Sequence, residues 1–156
     1  MKRSQLLQGL TTLAALAFIL FIFSNSLQNG TESEARSQSV LTWLQELLSQ
    51  AGFSVTVTEY FLRKSAHFLE YFALGMLLTG ALRAYTPKLK QYFALPFCLG
   101  LAVAAADETL QRFVPGRSGQ FSDVLLDFCG VAVGAVLFLF FLFWFEKHIR
   151  QKRPRS

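Results

Sequence analysis

The residues with the clearest capacity for chemistry lie in one stretch, EYFLRKSAHFLE, which sets Glu59, Arg63, Lys64, His67 and Glu70 at the head of an apolar run, FALGMLLTGAL. At 100° per residue, Glu59, Arg63, His67 and Glu70 fall within an arc of roughly 80° on one helix face. An ionisable face at the mouth of a lipid-suited helix needs polar partners. Further on, AAADETLQRF supplies Asp107, Glu108, Gln111 and Arg112, VPGRSGQ supplies Arg117, and Asp123 and Asp127 open the last apolar run.

Three chemistries suit these residue types. The imidazole of His67, three residues before Glu70 and facing further carboxylates, could move a proton as a general base or bind a divalent metal. The metal candidates are His67, Glu70, Asp107 and Asp123; the catalytic candidates are His67, Glu70 and Asp107. Arg63, Lys64 and Arg117 could instead hold a phosphate or carboxylate, arginine through paired donors. The structural alternative is mutual neutralisation, with Glu108 and Arg112 as an i,i+4 pair. No organic cofactor is implied. Nucleophile-elbow, HExxH, P-loop and paired CxxC motifs do not occur, and Ser65 and Ser118 lack the spacing of nucleophiles.

The elements that must position these groups are helices in a membrane. Of 156 residues, 53% are hydrophobic, 17 are Phe and only 16% are charged, which is too apolar for an ordinary soluble domain. The expected fold is all-α: an integral membrane four-helix bundle in a single domain, with spans near 5–24, 60–82, 91–111 and 123–145. Basic residues cluster before the first run, at Arg83, Lys88 and Lys90, and in the tail 146–156. The positive-inside rule then places both termini in the cytoplasm. A bacterial cytoplasmic (inner) membrane, crossed several times, is the expected location. The basic tail reads as a topology anchor, so no nucleic acid partner is expected.

Between the first and second spans, residues 32–50 carry Val40, Trp43, Leu44, Leu47 and Leu48 at helical spacing, with Thr31 and Glu34 as a capping box and Gly52 as a stop. An outer amphipathic helix on the membrane surface is expected, with a lid packed on protein as the alternative. The first span ends in FSNSLQ, where Ser24 and Gln28 lie one turn apart. Gly100, Ala104, Asp107 and Gln111 form one stripe, and Asp123, Asp127, Gly130 and Gly134 another. Small residues permit close helix approach, so both stripes should face inward. Cys98 and Cys129, within apolar runs, are expected to serve packing.

RKSAHFLEYFALG followed by DETLQRFVPGRSGQFSDVLLDFCGVAVG, with FSNSLQ before them, resembles the VanZ-like family of small bacterial membrane proteins, named for a teicoplanin-resistance protein. The resemblance covers about Phe23 to Gly134, and its pattern falls on Arg63, Lys64, His67, Glu70, Gly75, Asp107, Glu108, Gln111, Pro115, Gly116, Arg117, Asp123, Gly130 and Gly134. Asp127 stands where the family's asparagine is expected. The resemblance implies a link to glycopeptide-type antibiotic resistance. Together with the outward polar residues, it leads to the expectation of an extracytoplasmic pocket that engages a cell-envelope component. Its partners would be membrane lipids, anionic or linked to a cell-wall precursor, bound by Arg63, Lys64, His67, Glu70, Asp107, Glu108, Gln111, Arg117, Asp123 and Asp127. A membrane enzyme using His67, Glu70 and Asp107, and a lipid flippase or ion-coupled carrier, are the alternatives. The residues set neither the ligand nor the oligomeric state.

Overall fold

The computed structural model describes residues 3–152, so Lys2 and the end of the basic tail lie outside the described residues. Five α-helices follow one another: α1 Arg3–Ser26, α2 Gly30–Gln50, α3 Glu59–Tyr85, α4 Ala94–Gln111 and α5 Phe121–Lys152, with a short 3-10 turn at Leu89–Gln91. No strand occurs among the described residues.

Three of these helices are long and apolar enough to cross a membrane, over Ser4–Ser26, Glu59–Tyr85 and Phe121–His148. On α1 the leucines at 6, 13, 16 and 20 are all exposed, and on α5 so are Phe140, Phe141 and Trp144. Helices that are apolar on the faces they do not pack belong in lipid. The expected third span, near 91–111, falls on α4, which is not among these three; its 18 residues extend about 27 Å, against the roughly 30 Å hydrocarbon thickness. Pro96 sits in its first turn, where the missing N–H has no helical acceptor to lose.

α3 packs against every other helix, and α3 and α4 each touch both α1 and α5. The core runs through Ile22 of α1, Tyr71 and Leu74 of α3, Ala104 of α4 and Val131 of α5, all with no exposed surface. The α3–α5 contact is a backbone approach: a Cβ on Gly130 would fall 2.6 Å from the Phe68 carbonyl oxygen, and one on Gly134 would overlap that of Phe72. Glycine is therefore required at this crossing, whose i,i+4 spacing keeps both residues on one face.

α2 is capped differently from the expected Thr31–Glu34 box. Asn29 is the N-cap, its side-chain oxygen accepting from the Glu32 N–H at 2.8 Å and from the Thr31 hydroxyl at 2.7 Å. The cause is a tertiary anchor: the Gly30 N–H donates to the Pro115 carbonyl at 3.0 Å, which starts the helix two residues early. At the other end Gly52, with φ +82°, donates to Ser49 O at 3.0 Å and Phe53 donates to Leu48 O at 2.9 Å, a Schellman stop. Cys98 and Cys129, expected to serve packing, are free and exposed. Each lies on the outer side of its helix, opposite the glycine stripe.

Candidate functional site

Helix direction brings the polar residues together at one end of the molecule. The C-terminal ends of α1 and α4 meet the N-terminal ends of α3 and α5, as the bonds between them demonstrate. Asn25 Nδ2 donates to Glu70 Oε1 at 2.9 Å. Ser26 Oγ donates to Asp107 Oδ2 at 2.8 Å, and Gln111 Nε2 reaches both that hydroxyl, at 3.1 Å, and the same carboxylate oxygen, at 3.2 Å. Lys64 pairs with Asp123, and its ammonium also lies 5.3 Å from the Tyr60 ring centre. His67 Nδ1 stands 3.9 Å from Asp127 Oδ1.

The first span contributes through different residues from those the spacing suggested. Ser24 is exposed, whereas Asn25 and Ser26 make the contacts, and Gln28 acts through its backbone carbonyl. Ser26 continues an i,i+7,i+11 row with Ala15 and Ile22 that is buried throughout.

Glu108 also departs from expectation. Its Oε2 accepts the Gln120 backbone N–H at 2.9 Å, and among the described residues Arg112 makes no ion pair and is exposed. The loop between α4 and α5 folds back over the end of α4, with Gly116 at φ +75° making the turn. A backbone donor in a place poor in water is a better partner than a solvated guanidinium, because leaving it unpaired carries the larger penalty.

Arg117 is threaded from that loop towards α1, Nε to Gln28 O and Nη2 to Asn25 O, both at 3.3 Å. Burial, followed by the nearby Arg63, pushes its guanidinium below the ordinary arginine range, while Asp107, Glu108 and Glu70 pull it back up. It stays charged. Arg63 is the freer cation: its side chain is 44% exposed and its partner Glu59 is 3.7 Å away.

Two cavities of about 180 Å³ each open on this end. The first lies between α3, the α4–α5 loop and α5, and contains Lys64, Asp123 and Asp127. The second lies between the end of α1, α3 and α2, and contains Asn25, Glu70 and Arg36. Arg63, His67 and Arg117 line both, so these three form the wall between them. Arg36 did not stand out in the sequence; it reaches the site because Ser33, Arg36, Ser37 and Val40 share one face of α2 and that face covers the second cavity.

Asp107 and Asp127 lie at the closed end of this region, each with no exposed surface. Asp107 Oδ1, both oxygens of Asp127, and the Tyr71 hydroxyl are buried without a hydrogen-bond partner. A nitrogen of His67 and one oxygen from each of these aspartates lie within 4.8 Å of one another. Of the metal candidates read from sequence, His67 and Asp107 therefore come together, while Glu70 is engaged by Asn25 and Asp123 by Lys64. Asp127 joins the group instead.

A family model described as VanZ/LLP1 matches residues 10–143, from the second turn of α1 to the far part of α5. The chain belongs to the VanZ/LLP1 family. It is a VanZ-like membrane protein, and the match takes in both cavities and all the polar residues between them. No curated protein and no solved structure matches the chain.

Proposed function

We propose that this VanZ-like protein binds the anionic headgroup of a cell-envelope lipid, a phospholipid or a lipid-linked cell-wall precursor, in the second cavity. The observation that carries the reading is its charge: Arg36, Arg63 and Arg117 line it against a single acid, Glu70, which Asn25 already engages. Guanidinium groups match phosphate through paired donors and are the side chains of choice for it at a partly desolvated site. About 180 Å³ is small beside the roughly 300–1,000 Å³ of sites that enclose a whole drug-sized ligand. It suits a headgroup whose tails remain in the bilayer.

Four spans, with α4 as the third, place this end of the molecule at the extracytoplasmic surface if Arg83, Lys88 and Lys90 stay inside. α2 then lies on the outer leaflet. Its exposed Val40, Trp43 and Leu47 support that position, since such side chains are suited to the headgroup boundary. A ligand arriving in the outer leaflet would meet Arg36 and Arg63 first. Sequestering or reordering envelope lipids there is the route by which the protein would influence susceptibility to teicoplanin-type antibiotics.

Lipid analysis of the purified protein tests the reading. Enrichment of anionic phospholipid or polyprenyl phosphate over the source membrane is expected; a retained lipid population identical to the bulk membrane would overturn it. A second reading, an enzyme that modifies the bound lipid, draws on one observation: His67 lines both cavities, with Asp107 and Asp127 beside it.

A further inference from the structure

We propose that His67, Asp107 and Asp127 form a binding site for a single divalent transition metal ion at the closed end of the cleft. The inference does not depend on the headgroup reading, because its donors are His67, Asp107 and Asp127 and not the arginines of the second cavity.

Charge accounting comes first. Asp107 and Asp127 are both fully buried, and the cations nearby are committed elsewhere: Lys64 to Asp123, and Arg117 to the carbonyls of Asn25 and Gln28. Neither aspartate has an arginine or lysine partner among the described residues. A buried carboxylate either takes up a proton or is compensated by a positive charge, and a bound cation would supply that charge.

The orientation of the donors comes second. Asp107 Oδ2 accepts from Ser26 and Gln111, while Oδ1 makes no hydrogen bond and the Tyr71 hydroxyl stands beside the carboxylate. Hydrogen bonding the non-ligating oxygen is how proteins aim a carboxylate at a metal. Asp127 keeps both oxygens free, and His67 Nδ1 lies 3.9 Å from Asp127 Oδ1 without a hydrogen-bond partner. Ligands at about 2.0–2.2 Å from a shared ion lie up to roughly 4.4 Å apart. The His67–Asp127 separation falls inside that limit, while three donors sharing one ion average no more than about 3.8 Å apart, so the 4.8 Å envelope has to close by up to about 1 Å on binding.

Access and selectivity follow from the same geometry. The His67 side chain is 24% exposed and lines both cavities, so an ion can enter from the cleft while the aspartates stay dry. One imidazole nitrogen with two carboxylate oxygens suits Zn2+ or Mn2+ better than Mg2+ or Ca2+, which favour all-oxygen sets. Glu70 and Asp123, though close in sequence to these residues, stand outside the set because Asn25 and Lys64 occupy them.

The test uses untagged, full-length protein in detergent, stripped with a chelator and re-equilibrated with Zn2+ or Mn2+ alone. Elemental analysis should find a single ion per chain, and the metal should raise the melting temperature. Asp127→Asn and His67→Ala should lose the ion and the shift, whereas Glu70→Gln and Asp123→Asn should keep both. Should the first two variants fail to fold, pulsed electron paramagnetic resonance of the Mn2+-loaded wild type provides the readout, with nitrogen coupling expected from His67. No stoichiometric metal, equal metal in Asp127→Asn, or Mn2+ without nitrogen coupling would each overturn the proposal. Loss of lipid binding with metal binding intact would leave it standing and remove only the headgroup reading.

Discussion

Asn25 Nδ2 and Glu70 Oε1, on the last turn of α1 and the fourth turn of α3, are joined at 2.9 Å. This bond fixes a carboxylate beside three arginines in the second cavity, and it keeps Glu70 apart from the His67, Asp107 and Asp127 group. Removing the amide would leave a half-buried carboxylate short of a donor. Asn25→Ala should therefore cost about 1–3 kcal/mol, read as a lowered melting temperature in detergent. Adding Glu70→Gln should recover part of that loss, because the unpaired charge is then gone; additive losses would deny the coupling.

The α3–α5 crossing makes a prediction about packing. Gly134→Ala places a methyl against the Phe72 carbonyl and should destabilise by about 1–3 kcal/mol, since backbone cannot yield as a side chain does. Gly9→Ala on α1, where nothing lies within 4 Å, is the control. It should be neutral, or stabilising by at most about 1 kcal/mol through helix propensity. Thermal unfolding of both variants in one detergent decides; equal effects would count against the close crossing.

The proposed topology has its own test. A green fluorescent protein fused after the last residue should fluoresce, and alkaline phosphatase at the same place should be inactive. Inserted between Gly52 and Thr58, the two reporters should exchange behaviour. Fluorescence at both positions would reverse the assignment of the cavities to the extracytoplasmic side.

How much of this was legible in the sequence depends on where each element's orientation was encoded. α3, α4 and α5 carry stripes of charge or small residues, and the residues of those stripes meet: Gly100, Ala104, Asp107 and Gln111 are all buried, as are Asp127, Gly130 and Gly134. α1 is apolar on every side, so nothing in its pattern distinguishes the face that packs, and a rotation of one or two residues separates Ser24 from Asn25 and Ser26. Glu108 and Arg36 depended on contacts remote in sequence. The α4–α5 loop turns back to give Glu108 the Gln120 N–H, and the same loop anchors α2 through Pro115 and Gly30, which carries Arg36 over the cavity. Local spacing cannot express either. Asp127 was visible through its place in the stripe with Asp123, Gly130 and Gly134, and it is completely buried.

The arginine cavity is the centre of the functional account, and native mass spectrometry of the protein released from micelles tests it most directly. Phosphatidylglycerol titrated against phosphatidylcholine should give preferential adducts on the wild type. Arg36→Ala and Arg63→Ala should each weaken that preference about tenfold, the equivalent of roughly 1.4 kcal/mol at 25 °C. Arg83→Ala, which breaks only the distant pair with Glu146, should leave it unchanged. Adducts that do not discriminate between the two lipids, or that survive the combined Arg36→Ala and Arg63→Ala change at wild-type strength, would contradict it.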